Sequence, residues 1–125
     1  MDAVSKPSTS LNSSNRHLIN AERLALMKPT AFLINTSRGG VVDQEALYIA
    51  LKERRVAGAA LDVSEKEPLE RKSPLLTLDN VYLSAHVAGV AADARRRSSR
   101  TAAERLLRVF RGEKPLHVVN PEVLK

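Results

Sequence analysis

Three polar side chains, Arg38, Glu67 and His86, offer the chemistry needed to bind an anionic substrate and transfer a proton to it. A guanidinium group presents a planar set of donors that matches a carboxylate, so Arg38 can bind an organic acid and polarise its carbonyl. An imidazole titrates near neutral pH, so His86 can donate a proton to a carbonyl oxygen and take it back. A carboxylate hydrogen-bonded to that ring favours the imidazolium form and fixes its tautomer, the role for which Glu67 is placed.

The position of Arg38, Asp62 and His86 suggests a shared site, because each comes at or just after the end of an apolar run. In an open parallel sheet the carboxyl ends of the strands meet at one edge, and ligands bind there. Taken singly, Arg38 could be a surface turn arginine, Asp62 a loop or helix cap, and His86 an ordinary loop histidine. Since all three are expected at one edge of one sheet, a binding site is the stronger interpretation.

The elements that must position these residues are alternating strands and helices. Apolar runs predict strands at residues 31–35, 56–63 and 81–84. A first helix is predicted at residues 21–27, with Asn20 as its N-cap, and a second is predicted to begin after Asp43, its own N-cap. A third is predicted from about residue 91 to residue 111. Gly112 then suits a left-handed C-cap. This alternation is typical of an α/β domain with a parallel sheet, and three strands are half of a doubly wound sheet.

The composition excludes several kinds of site. At 125 residues the chain is about the size of one domain. It has no Cys, so it can form neither a disulfide nor a thiolate, and we expect no metal site. No apolar run approaches the length of a transmembrane helix, and the N-terminal residues lack the apolar core of a signal peptide. We therefore expect a cytoplasmic protein without a membrane partner.

Much of the net charge of +6 lies on the last predicted helix, which carries Arg95, Arg96, Arg97, Arg100, Arg105, Arg108 and Arg111. Such a helix could bind nucleic acid or an anionic surface. A stripe at three- and four-residue spacing puts most of these arginines on the opposite side of the helix, and it consists of Ala94, Ser98, Ala102, Leu106 and Val109 or Phe110. We interpret the arginines as a solvated helix face and expect no nucleic-acid partner.

Three ordered motifs carry a resemblance to a known family. They are I-N-x-x-R-G at residues 34–39, D-V-x-x-x-E-P at residues 62–68, and a histidine before small residues at residues 86–89. Arg38 stands 24 positions before Asp62 and 29 before Glu67, spacings that agree with the family. From residue 18 to residue 121 the chain resembles the D-isomer-specific 2-hydroxyacid dehydrogenases, the group that includes phosphoglycerate dehydrogenase and glyoxylate/hydroxypyruvate reductases.

This resemblance implies a fold, a reaction and residue roles. The fold is a partial Rossmann-like parallel sheet with a long C-terminal helix. The reaction is reduction of a small 2-keto acid with NAD or NADP, since no side chain can supply a hydride. Arg38 is implied to bind the substrate, His86 to be the acid/base catalyst and Glu67 to be its partner. Asp62 is implied to hold the nicotinamide carboxamide, within a set of cofactor-binding positions that comprises Thr36, Ser37, Arg38, Asp62, His86 and Gly89.

Two residues near these positions depart from the family pattern. Ala85 stands where the family usually has Pro, which is expected to loosen the turn before His86. Ser64 replaces a common Phe and removes some apolar cover near the site. Neither residue is expected to touch a reacting atom.

The phosphate-binding motif of the family has no match in this sequence. A dinucleotide-binding half opens with G-x-G-x-x-G at a helix N-terminus, and none of the five glycines forms that pattern. We expect the chain alone to bind dinucleotide weakly and to expose an unpaired strand edge. The resemblance is expected to begin near Arg16, with residues 1–15 as degraded or foreign sequence.

These observations predict the C-terminal fragment of a dehydrogenase in three segments. Residues 1–17 are expected to be a flexible polar lead-in, residues 18–112 a partial NAD(P)-binding domain, and residues 113–125 a tail of an otherwise missing substrate domain. The alternative is a catalytically inert, truncated remnant that acts at most as an interaction module. Beyond the small 2-keto or 2-hydroxy acid, the expected partners are a second copy of the chain or an intact homologue.

Overall fold

The structure is a computed structural model that describes residues 4–5, 11–116, 118, 120 and 122. The chain forms two compact units, residues 1–88 and residues 89–125. The first unit contains a parallel sheet and its covering helices, and the second contains one long helix. The predicted boundary after residue 112 does not coincide with this division, and the assignment of residues 113–125 to another domain stays a prediction.

The sheet of the first unit has four parallel strands in the order β1-β2-β3-β4. The strands are β1 (Val4–Ser5), β2 (Phe32–Asn35), β3 (Gly58–Leu61) and β4 (Val81–Leu83). The α/β class and the parallel sheet are therefore confirmed, although β2, β3 and β4 are all shorter than predicted. In the register of the sheet Asn35 lies beside Leu61 and Leu61 beside Leu83, so β2, β3 and β4 end at the same edge.

The N-terminal segment differs from the sequence-based expectation. Val4–Ser5 pair in parallel with Phe32 and Leu33, so this segment adds an edge strand. In the turn that follows, the Asn12 side chain accepts hydrogen bonds from the backbone amide and hydroxyl of Ser14, 2.9 and 2.6 Å away. The polar composition indicated disorder, but Asn and Ser also close turns through such local bonds. Residues 1–3 and 6–10 of the expected lead-in lie outside the described residues.

Two capped helices connect the strands of the first unit. Helix α1 (Ala21–Ala25) begins at Asn20, whose side chain accepts a hydrogen bond from the amide of Arg23 at 3.0 Å. Helix α2 (Gln44–Lys52) begins at Asp43, whose carboxylate accepts a bond from the amide of Ala46 at 2.9 Å. Both predicted caps are confirmed, because each side chain satisfies an amide that has no partner within its helix.

One face of the sheet is buried beneath α1 and α2. Leu33 of β2 and Leu61 of β3 pack in a single buried cluster with Leu24, Leu47 and Leu51 of the two helices. Side chains alternate between the two faces of a strand, so Asn35 also points to the buried face. This rigid core fixes the positions of the strand ends.

The opposite face of the sheet is open. Phe32 is 48% exposed and Tyr82 is 71% exposed, although both belong to paired strands. A short 3₁₀ helix (Pro74–Thr77) adds the buried Leu75 to the core on the covered face. Within the first unit, α1 and α2 both pack on the covered face, which leaves these two side chains exposed.

The second unit contains helix α3 (Ala92–Phe110), which ends close to where the sequence predicted. Gly112 has a φ of 72°, confirming the predicted left-handed residue after the helix. No residue of α3 is buried, and Phe110 at the end of the predicted apolar stripe is 84% exposed. Within the described part of the chain, no helix is long and apolar enough to cross a membrane.

Candidate active site

The turn that carries Arg38 is held by Asn35, the last residue of β2. The Asn35 side chain is 1% exposed, and its amide group donates to the Arg38 carbonyl at 3.0 Å. Its oxygen accepts from the backbone amide and the hydroxyl of Ser37, at 3.1 and 2.9 Å. A buried amide that is satisfied in this way fixes the turn over three residues and leaves Arg38 at the surface.

Most of the Arg38 guanidinium group is available for a ligand. Its Nη1 donates to the carbonyl of Ser37 at 2.8 Å, which uses one of its five N–H donors. The remaining donors include the pairs that bind a carboxylate in bidentate fashion. The structure therefore holds Arg38 in a defined place without consuming its binding capacity.

Gly39 brings the Arg38 turn against the loop that follows β3. A Cβ atom at Gly39 would lie 1.9 Å from the carbonyl oxygen of Ser64, far inside any allowed contact. Only glycine permits this approach of the two backbones. Since Glu67 lies three residues beyond Ser64, the contact fixes the loop of Glu67 relative to Arg38.

Glu67 and His86 form a hydrogen-bonded pair. The Nδ1 atom of His86 lies 2.8 Å from Oε2 of Glu67, and the amide of Ser64 donates to the other carboxylate oxygen at 3.2 Å. The bond to His86 lowers the pKa of Glu67 below its ordinary value; partial burial opposes this, while the Ser64 amide and the positive charge of Arg38 add to it. Glu67 is therefore ionised at neutral pH, and Nε2 is the ring nitrogen directed away from it.

Asp62 lies beneath the turn that carries His86. It is 5% exposed, and its carboxylate accepts hydrogen bonds from the Ser84 hydroxyl at 2.6 Å and from the amides of Val87 and Ala88 at 2.8 and 2.9 Å. Burial alone would raise the pKa of Asp62. The bonds from Ser84, Ala88 and Val87, together with the charge of His86, outweigh burial and hold the pKa below its ordinary value.

A cavity of about 320 Å³ lies beside Asp62 at the carboxyl edge of the strands. It is lined by Ile34, Thr36, Ala60, Leu61, Asp62, Tyr82, Ser84, Val87 and Ala88. Its mainly apolar lining with one carboxylate is the kind of surface that takes a flat, partly polar ring. A larger hollow of about 560 Å³ covers the open sheet face but has none of the predicted catalytic residues in its lining.

The predicted site residues are only partly brought together. Glu67 and His86 touch, and the charge of Arg38 acts on Glu67. Among the predicted cofactor-binding residues, Thr36 and Asp62 line the cavity. Ser37 supports the Arg38 turn instead. Gly89 belongs to the second compact unit, and its role stays a prediction.

Two residues that position the site had no role assigned from the sequence, Asn35 and Ser84. An asparagine at the end of an apolar strand, followed two positions later by Ser37, is a local signal for such a turn. No comparable local signal exists for Ser84, because its partner Asp62 lies 22 residues earlier in the chain. Across the described residues, no group of three or more His, Cys, Asp or Glu could hold a metal ion.

Known proteins match both the sequence and the fold. The family model described as D-isomer specific 2-hydroxyacid dehydrogenase, NAD binding domain, matches residues 2–88. This match overturns the expectation that residues 1–15 are foreign sequence, because it starts at residue 2.

Individual curated proteins are also similar in sequence to this chain. The chain is 55% identical over 115 residues to a glyoxylate reductase of Thermofilum pendens, covering 92% of this chain and 34% of the relative. It is 44% identical to a D-3-phosphoglycerate dehydrogenase of Methanocaldococcus jannaschii, covering 88% of this chain and 21% of the relative. This chain thus spans about a third or less of the length of these curated relatives.

A solved structure shows the same fold. A D-isomer specific 2-hydroxyacid dehydrogenase from Xanthobacter autotrophicus, in complex with NADPH and MES, superposes with a TM-score of 0.83 at 39% identity, covering 96% of this chain and 49% of that one. The family match extends over most of the chain and includes Arg38, Asp62, Glu67 and His86. The chain belongs to the D-isomer specific 2-hydroxyacid dehydrogenase family.

Proposed function

We propose that this chain supplies the substrate-binding and acid/base residues of an NAD(P)-dependent 2-keto acid reductase, a D-2-hydroxyacid dehydrogenase. The observation that carries the proposal is the 2.8 Å contact between His86 and Glu67 at the carboxyl edge of parallel strands, within the electrostatic reach of Arg38. A proton donor, its carboxylate partner and a carboxylate-binding cation are the groups that this reduction requires.

Arg38 binds the carboxylate of the keto acid in this proposal. Its guanidinium group lies in a turn fixed by Asn35 and retains donors for a bidentate pair. A substrate held by its carboxylate presents the neighbouring carbonyl in a defined orientation, which lowers the entropic part of the barrier. The positive charge also draws electron density toward the carbonyl oxygen that receives the proton.

His86 donates that proton from Nε2 during reduction and recovers it in the reverse direction. Glu67 faces Nδ1 of the ring, so it orients the imidazole and directs Nε2 away from itself. The lowered pKa of Glu67 keeps its carboxylate charged at neutral pH, as this role requires. Because the pair is about half exposed, a covering segment or the bound substrate is needed to exclude water from it.

The chain fits one end of the cofactor. NAD or NADP, when bound, supplies the hydride. Asp62 accepts three hydrogen bonds, which leaves its carboxylate one acceptor position for a carboxamide N–H in the cavity that Thr36 also lines. The pyrophosphate end has no such fit, since none of the five glycines forms G-x-G-x-x-G.

The same observation on the glycines supports a second candidate function, that of an interaction module, because residues 1–125 include no G-x-G-x-x-G loop. Its partner would then be a second copy or an intact homologue. Under either function we propose a cytoplasmic location.

A reductase assay of the whole chain tests the proposal. We expect oxidation of NADPH or NADH that depends on glyoxylate, hydroxypyruvate or phosphohydroxypyruvate. His86→Ala should lower kcat/KM about 100-fold or more, because the proton donor is removed. Arg38→Lys should raise KM for the keto acid about tenfold, because Lys cannot form the bidentate pair. Arg54→Lys is the matched control, since Arg54 pairs with Asp79 outside the candidate site.

Two outcomes would change this conclusion. If keto-acid-dependent oxidation persists at full rate in His86→Ala, the assignment of the proton donor is wrong. If the folded chain oxidises neither cofactor with any of the keto acids, the second candidate function is favoured.

A further inference from the structure

We propose that Asp62 is a positioning residue for His86: its carboxylate holds residues 84–88 in the turn that directs the imidazole toward Glu67. The resemblance assigns Asp62 to the cofactor, whereas the contacts show a carboxylate bonded mainly to its own chain. The catalytic importance of this turn rests on the proposed function, but the hold of Asp62 on the turn does not.

The hydrogen bonds of Asp62 enclose His86 on both sides. The carboxylate accepts from Ser84, two residues before His86, and from Val87 and Ala88, the next two residues. The backbone carbonyl of Asp62 also accepts from the amide of His86 itself, at 2.9 Å. Four bonds from one buried residue therefore fix a segment of five residues.

The backbone of His86 needs such support. Its φ is 55°, in the left-handed region that residues other than glycine rarely occupy. A conformation of this kind costs free energy and persists only where the surroundings hold it. The bonds from Asp62 to the residues on either side supply that hold, and with it the 2.8 Å contact between His86 and Glu67.

The residue immediately before His86 is Ala85, so no proline ring fixes the backbone there. The turn therefore depends on hydrogen bonds. Bonds to a buried, ionised carboxylate are stronger than bonds between neutral groups, which makes Asp62 well suited to hold it.

The variant Asp62→Asn tests the proposal, because Asn keeps the shape but loses the charge and one acceptor oxygen. Amide hydrogen exchange should accelerate at least about tenfold at Val87 and Ala88, since hydrogen bonds to charged groups are lost. The NMR signal of the His86 Nδ1 proton, which reports the bond to Glu67, should broaden or disappear. Neither measurement needs cofactor or substrate.

Val56→Ala is the matched control. Val56 is fully buried and precedes β3, at the opposite edge of the sheet from His86. It should destabilise the whole domain without altering the His86 Nδ1 signal under conditions where both variants are folded. Ser84→Ala removes one of the three side-chain bonds and should give a smaller acceleration, which Ser84→Thr should reverse by restoring the hydroxyl.

The proposal would be overturned if, in Asp62→Asn, amide exchange at Val87 and Ala88 is no faster than in Val56→Ala and the His86 Nδ1 signal is unchanged. If Asp62→Asn does not fold, the wild-type chain supplies the test: the amide proton shifts of Val87 and Ala88 should follow the titration of Asp62, and shifts that do not move in acid would refute it. A chain without reductase activity that still shows these effects would refute the proposed function alone.

Discussion

Two turns at the same edge of the sheet carry the candidate site residues Arg38 and His86, and a buried polar residue anchors each turn in a different way. The Arg38 turn is held by Asn35, a neutral amide whose partners lie two and three residues ahead. The turn of residues 84–88 is held by Asp62, a charged carboxylate whose partners lie 22 to 26 residues ahead on the next connection. One anchor is local and uncharged, and the other is long-range and ionic.

The two turns therefore differ in which parts of the sheet must form before them. The Arg38 turn requires only the end of β2, because donor and acceptor belong to one short segment. The His86 turn requires β3 and β4 to be paired first, since Asp62 follows β3 and Ser84 follows β4. We infer that the position of His86 depends on the pairing of β3 with β4, whereas the position of Arg38 does not.

The largest effect is expected from Gly39→Ala, which acts on the junction between the Arg38 turn and the loop of Glu67. The added methyl group would lie 1.9 Å from the carbonyl oxygen of Ser64, so one backbone must move. We expect a loss of about 3 kcal/mol in the free energy of unfolding, measured by denaturant titration. Gly89→Ala is the control, because nothing lies within 4 Å of its added methyl group. Equal stability of the two variants would contradict the close approach.

Asn35→Ala should break only the local anchor. It leaves the Ser37 amide and the Arg38 carbonyl without their partner, at a cost of about 1–3 kcal/mol in the free energy of unfolding. Amide exchange should accelerate at Ser37 and remain slow at Val87 and Ala88 once the change in global stability is subtracted. Acceleration of equal size in both turns would show that the two anchors are coupled.

Acid should break only the ionic anchor. The folded pKa of Asp62 lies below its ordinary value of 3.8, so the carboxylate contributes stability that is complete above that value and is lost as the pH falls through the folded pKa. His86 is the titratable group whose charge acts on Asp62. Glu67, with an ordinary value of 4.5 and a lowered pKa, behaves in the same direction.

The amide shifts of the two turns, followed from pH 7 into acid, measure this prediction. Those of Val87 and Ala88 should change as the pH falls through the folded pKa of Asp62, which lies below 3.8, while that of Ser37 stays constant because Asn35 does not titrate. The change should be much smaller in Asp62→Asn, in which Glu67 still titrates. A parallel change at Ser37 would mean that acid unfolds the edge of the sheet as a whole.

The contrast between the anchors also explains which features the sequence could predict. The caps at Asn20 and Asp43 follow from short-range patterns and are confirmed. Arg38 lies in a turn just after the end of β2, as the local pattern indicates. The partnership of Glu67 with His86 followed from the resemblance and is confirmed as a contact. The bonds from Asp62 to residues 84–88 could not be predicted, because they depend on the register between β3 and β4.

The edge strand β1 was not predicted from the sequence, for a related reason. Its two residues, Val4–Ser5, belong to a polar segment without an apolar run. What places them in the sheet is backbone pairing with β2, which composition does not reveal. Sequence patterns therefore predict helix caps and local turns, but they miss the long-range polar bonds and the short edge strand.

The smallest effect is expected from Ala85→Pro, which would add a covalent restraint to the turn that Asp62 holds. A compatible proline reduces the freedom of the unfolded chain and stabilises a protein by about 0.4–1 kcal/mol. If ring and carboxylate share the task of fixing residues 84–88, Asp62→Asn should accelerate exchange at Val87 less in the Ala85→Pro background than in the wild type. If Asp62→Asn instead accelerates exchange at Val87 by the same factor in both backgrounds, the proline acts on the unfolded chain. Asp62 alone then sets the direction of the His86 ring.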